Sequence, residues 1–232
     1  YRSIFPGRLP PSALTTPSFW HSRSAFQAIV VGLGLALLHM AWYNAFYLAS
    51  GWFGAWCPQD VPYTNSVAAP MPWLTPLSIG ANAAVNEEFL FRVFAISLII
   101  RLTGQRWLAV LLPALSWGFL HTLYPQEPVY IRGIELTVVG IVYGIVFLRY
   151  GFLATLIAHY TYNATAGGAF LLRSGLPYLM LSGAAVVLLT LLPLLPSAWR
   201  LLRRKGLLDD NAVLQAMPLR KPVSSSEKEK RN

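Results

Sequence analysis

Asn86-Glu87-Glu88-Phe89-Leu90-Phe91-Arg92, NEEFLFR, lies inside an apolar run from about Leu77 to Ile100. Each ionisable side chain at the centre of a membrane helix costs roughly 2.5–3.5 kcal/mol even on the mild insertion scale. Such groups persist where they face a bundle interior or a polar cavity and pair with one another. Glu88 and Arg92 are four residues apart and share a helical face, which predicts an internal ion pair. Glu87 is rotated by about 100° from Glu88. It is therefore a carboxylate surplus to the pair, aimed at something else.

The surrounding composition agrees with a membrane setting. The 232 residues are 55% hydrophobic and 12% charged, with a mean hydropathy of +0.49; a soluble domain carries about 25% charged residues. The net charge of +9 is gathered at the two ends and in short connections, and no lysine occurs from Leu77 to Pro196. That distribution signals topology and lipid headgroups, and it lacks the basic stripe of a nucleic-acid partner. The single cysteine, Cys57, makes no internal disulfide and rules out a cysteine-rich metal cluster. The proline-rich start lacks the apolar core of a signal peptide. It begins at Tyr1 rather than Met, which leaves room for a further domain N-terminal to this chain.

Six apolar segments have the length needed to cross about 30 Å of hydrocarbon. They lie near Phe26–Ser50, Leu77–Ile100, Trp107–Leu123, Tyr130–Leu148, Phe152–Leu172 and Pro177–Leu195. The fold expected is all-α: a polytopic transmembrane helix bundle of about six spans with a four-helix core. With six spans, Arg2, Arg8 and Arg23, then Arg101 and Arg106, Arg149, and finally Arg200, Arg203, Arg204 and Lys205 fall on one side. Asp60 and Glu127, with Arg132 and Arg173, fall on the other. The positive-inside rule then puts both termini in the cytoplasm of an integral membrane protein, which in a bacterial cell means the inner membrane. The organisation expected is an arm over 1–25, a first span and outer loop over 26–76, the core over 77–200, and a polar tail without fixed structure over 201–232. In the outer loop Trp52, Trp56 and Trp73 suit the headgroup region. Gly140 and Gly144 form a small-xxx-small pair suited to close helix packing. Arg132 and Glu135, three apart, form a local ion pair, Arg149-Tyr150-Gly151 reads as a tight turn, and His39 reads as a hydrogen-bonder within the bundle.

Two further spans carry polar groups at helical spacing. In WGFLH, Trp117 and His121 are four apart; in HYTYN, His159 and Asn163 are four apart. Glu87, Glu88, Arg92, His121, His159 and Asn163 thus lie on three spans. If they converge, they supply a base, two imidazoles and an amide donor. That is the inventory for adding water to a carbonyl, with the base activating water and donors stabilising the oxyanion. The same set, through Glu87, His121 and His159, has the composition of a two-His-one-carboxylate zinc site with an open position.

The trio EEFLFR, WGFLH and HYTYN, in that order on membrane helices, resembles the CAAX protease and bacteriocin-processing family, intramembrane endopeptidases that include the type II CAAX prenyl proteases. The resemblance covers about Leu77 to Leu172. It implies that Glu87 activates water, that Glu88 and Arg92 support it, that His121 and His159 are essential, and that Asn163 serves the oxyanion hole. Phenylalanine is commoner at the aromatic position, so Trp117 is expected to be a tolerated swap. The family includes members described as metalloproteases and a metal-free glutamate mechanism, so the cofactor is either a divalent metal such as zinc or none. The partners implied are the lipid bilayer and a membrane protein or lipid-modified peptide as substrate. Two other classes compete with this endopeptidase. A catalytically silent scaffold or immunity-type protein would keep the fold for partner binding. A transporter or proton channel would spread polar groups along the membrane depth.

Overall fold

Ser22 opens the first long helix: its Oγ accepts the Ala25 N–H, capping α1, Arg23–Ser50, and so satisfies one of the donors a helix start leaves without an internal partner. The computed structural model describes residues 4–5, 9–57 and 65–217. A helical run from residue 74 to 103 follows, in three parts of differing pitch: α2 (Leu74–Glu87), a π-helical stretch (Glu88–Ile96) and α3 (Ser97–Thr103). Next come α4 (Arg106–Phe119), α5 (Ile131–Tyr150), α6 (Phe152–Leu172), α7 (Pro177–Leu189), α8 (Leu195–Leu202) and α9 (Asp210–Ala216). No strand is present among the described residues, only two isolated bridges, Ser22 to Leu208 and Trp56 to Glu127. The bundle is all-α, as the sequence indicates.

The six expected segments all form helix, with informative differences at the ends. Three are long and apolar enough to cross a membrane by those criteria: Arg23–Phe53, Ile131–Tyr150 and Pro177–Leu202. The other three carry the polar motifs, and α4 is also too short. Helix α4 stops at Phe119, short of the expected Leu123; its 14 residues reach only about 21 Å. The sixth segment breaks after Leu189 into a short 3-10 turn, Leu192–Leu194, and then α8. Pro193 and Pro196 lack the N–H that an unbroken helix needs.

Helix α6 is the centre of the bundle, packed against α1, α2, α5 and α7, while α4 packs along α5. Two glycines set the crossings that matter for the site. A Cβ on Gly80 would lie 3.1 Å from the Tyr160 carbonyl oxygen, so α2 meets α6 backbone to backbone. A Cβ on Gly118 would lie 2.6 Å from the Gly133 carbonyl oxygen, so α4 meets α5 more closely still. The small-residue pair Gly140 and Gly144 lies in the same α4–α5 seam, against Ala114 and Val110. Gly151, at φ +84°, is the single residue between α5 and α6, which is the tight turn expected there.

Both ends of the described chain meet at one end of the bundle. The Arg23 N–H donates to the Leu208 carbonyl and the Leu208 N–H to the His21 carbonyl. Ser24 donates to Asp210 and Ser197 to the Trp20 carbonyl. Part of the tail expected to lack structure is therefore helix: α9 is capped by Asp209 and buries Val213. The expected tail from 218 to 232, and Arg2, Arg8 and Asp60 of the charge pattern, lie outside the described residues.

Candidate active site

The wide turns of the π-helical stretch begin at Glu88, directly after the last residue of α2. A π segment inserts extra backbone into a helix and so re-aims its side chains. Here the two neighbouring acids separate. Glu88 is fully buried and Arg92 is 2% exposed, while the Glu87 side chain is 26% exposed.

Glu88 holds two partners through one oxygen. Arg92 Nη1 lies 3.2 Å from Glu88 Oε1, and His159 Nδ1 donates to the same oxygen at 2.8 Å. Arg92 also sits over the Trp117 ring, 4.4 Å from its centroid, and 5.3 Å from that of Tyr143, a placement in which the ring faces attract the cation. The ion pair expected from the i,i+4 spacing is therefore present, and it also orients a histidine from another helix.

Glu87 faces the second group. His121 Nε2 lies 3.9 Å and His159 Nε2 3.8 Å from Glu87 Oε2. Both rings are oriented from behind: His159 by Glu88, and His121 by its Nδ1, which donates to the Trp117 carbonyl at 2.7 Å. With Nδ1 donating, a neutral imidazole presents Nε2 as an acceptor, so both rings turn that nitrogen towards Glu87.

A cavity of about 320 Å³ connects these groups. Glu87, His121, His159 and Asn163 line it; Glu88 and Arg92 stay behind the wall. It continues past His39, in the middle of α1, to Tyr43, Gln126, Arg132 and Arg173, the last three near the helix ends remote from the chain termini. It thus runs from mid-bundle to that far end.

The donor set does not form a metal-ligating group. Two ligands about 2.0–2.2 Å from a tetrahedral zinc are roughly 3.3–3.5 Å apart, closer than the 3.9 and 3.8 Å separations here. The Trp117 N–H is also directed at the shared carboxylate oxygen. Among the described residues no group of three His, Cys, Asp or Glu could hold a metal ion. The zinc set expected from composition, Glu87, His121 and His159, therefore finds no support in the geometry.

Several neighbours hold more than the sequence indicates, and Tyr143 and Tyr162 are not among the residues singled out from it. Trp117, expected as a tolerated swap, is 2% exposed and donates its indole N–H to Glu87 Oε2 at 2.5 Å. Tyr143 is fully buried between Trp117 and His159, and its hydroxyl lies 3.3 Å from His39 Nδ1. His39 is a bundle hydrogen-bonder, as expected, and also stacks on Tyr162 at 3.6 Å. Arg132 and Glu135 pair and are both buried. A tyrosine three residues from Gly140, within the apolar run 138–148, is the available signal for Tyr143.

Residues 69–165 match the family model described as type II CAAX prenyl endopeptidase, Rce1-like. That stretch holds all six candidate residues, and the family it names is the one the three motifs resemble. A curated protein, the sporulation-killing factor biosynthesis protein SkfC of Bacillus subtilis (strain 168), is 25% identical over 87 residues, 38% of this chain. The alignment spans only 18% of that relative's length. No solved structure matches.

Proposed function

We propose, with the match of residues 69–165 to type II CAAX prenyl endopeptidases as premise, that this chain is an intramembrane endopeptidase. It hydrolyses a peptide bond in a membrane-associated or lipid-modified protein. Glu87 takes a proton from water as the water oxygen bonds to the peptide carbonyl carbon. Asn163 donates its amide N–H to the resulting oxyanion, with the two imidazoles as further polar neighbours. Collapse of the tetrahedral species breaks the C–N bond, and the proton held by Glu87 passes to the leaving nitrogen. Glu88 and Arg92 act through their neighbours: they hold His159 in place and balance charge behind the wall. The low dielectric of the bundle strengthens each of these electrostatic effects relative to water.

The observation that carries this reading is the approach of two Nε2 atoms, held by Glu88 and by the Trp117 carbonyl, to one carboxylate oxygen at 3.8 and 3.9 Å. They do so in a cavity that Asn163 also lines. The arginine-rich end that carries both described chain ends is placed in the cytoplasm by the positive-inside rule.

Cleavage of a panel of quenched-fluorescence peptides, with and without a lipid group, by the detergent-purified protein tests this. The parent is expected to cleave and to keep its rate in a zinc chelator; Glu87→Gln is expected to lose at least about 10²-fold, the scale of a general base. Full activity in Glu87→Gln removes Glu87 from the role of base. Loss of activity in chelator points to a metal enzyme. A parent that cleaves none of the panel favours the silent scaffold.

A further inference from the structure

Trp117 occupies a position where an aromatic ring alone fulfils the motif, yet it contributes more than a ring. Its indole nitrogen is a donor with no acceptor capacity. In the structure Nε1–H reaches Glu87 Oε2 at 2.5 Å, from a ring that is 2% exposed. The ring is fixed on every side. Arg92 lies over it at 4.4 Å, Tyr143 stacks on it at 6.1 Å, and His121 and His159 meet it edge-on at 5.5 and 5.7 Å. Its backbone carbonyl accepts from His121 Nδ1 at 2.7 Å. A single residue thus contacts the carboxylate through its side chain and orients one of the two imidazoles through its main chain.

We propose that Trp117 is the positioning residue for Glu87: its N–H fixes the carboxylate oxygen between the two histidines. Phenylalanine supplies the same packing and no donor, so a chain with phenylalanine here has to hold its carboxylate by other means. A hydrogen bond donated to an ionised group is worth roughly twice a neutral one. A partly exposed Glu87 on a helix end gains more from such a bond than a carboxylate already locked by packing. The catalytic consequence rests on the reading of Glu87 as the base; the hydrogen bond itself does not.

Two measurements separate the two. In the first, the full chain is labelled with ¹⁵N-tryptophan in detergent micelles. Trp117→Phe removes one of eight indole cross-peaks (the chain has 8 Trp) and so assigns the Trp117 resonance. That peak is expected to shift markedly in Glu87→Gln. A Trp117 peak unmoved by Glu87→Gln overturns the hydrogen bond, whatever the protein cleaves. In the second, peptide cleavage is followed for kcat and KM separately. Trp117→Phe is expected to lower kcat by about 10- to 100-fold with KM little changed. An unchanged kcat in Trp117→Phe overturns the positioning role while leaving Glu87 as base. Undiminished cleavage by Glu87→Gln overturns the base while leaving the bond.

Discussion

Gly118→Ala adds one carbon at the α4–α5 crossing, and the structure gives the size of the conflict. The new Cβ would lie 2.6 Å from the Gly133 carbonyl oxygen, 2.6 Å from Thr137 Oγ1 and 2.8 Å from the Thr137 nitrogen. Ordinary contact begins at 3.4 Å, so the helices have to part by about 0.8 Å, an overpacking whose usual range is roughly 1–3 kcal/mol. Two of the three atoms belong to backbone and cannot rotate away. Trp117 directly precedes the added carbon and His121 follows three residues later, so the shift passes straight to the groups facing Glu87. A misplacement near 1 Å can reduce a rate by about 10²-fold. The assay pairs peptide cleavage with reversible unfolding in detergent, followed by circular dichroism. Gly34→Ala serves as control: nothing lies within 4 Å of its Cβ, and alanine gains up to about 1 kcal/mol over glycine inside a helix. Gly118→Ala should lose both stability and activity, and Gly34→Ala neither. If Gly118→Ala unfolds within about 0.5 kcal/mol of the parent and cleaves at the parent rate, the α4–α5 crossing does not set the site geometry.

Two further substitutions probe the layer behind and the wall of the cavity. Arg92→Leu leaves Glu88 fully buried without its cation, and the unfolding free energy should fall by about 3–5 kcal/mol, the usual penalty for breaking a buried ion pair. The same unfolding assay reads this, and a change below 1 kcal/mol would mean the pair makes no net contribution. Asn163→Ala should reduce kcat by about 10²–10³-fold with a small change in KM, as for loss of one oxyanion donor. Equal changes in substrate binding and turnover would assign Asn163 to substrate binding instead.

Much of the bundle was legible from local rules. Apolar length predicts the six helical segments, because transfer of a segment into hydrocarbon depends on its own composition. The same rules name Gly151 as a turn and Gly140 and Gly144 as a packing seam. They fail where backbone hydrogen bonding intervenes. Pro193 and Pro196 end α7 early, and the change of pitch at Glu88 is invisible to a reading that assumes 3.6 residues per turn throughout. The tail over 201–232 is polar and is expected to lack structure. Its described part nevertheless docks a short helix, α9, whose Val213 is fully buried in one cluster with Ala13 and Phe19, about 190–200 positions distant in sequence.

The sequence by itself determined which residue types the membrane interior must accommodate, their order on three spans, and the pairing of Glu88 with Arg92, since four residues along one helix fix a shared face. Only the tertiary structure decided what Glu87 meets. Its neighbours come from α4, the turn that follows it and α6, and their approach depends on how closely α2, α4, α5 and α6 cross at Gly80 and Gly118. The donor role of Trp117 belongs to the same class. An indole N–H is written in the sequence, but its direction depends on the rotation of one helix against another, and no local pattern encodes that.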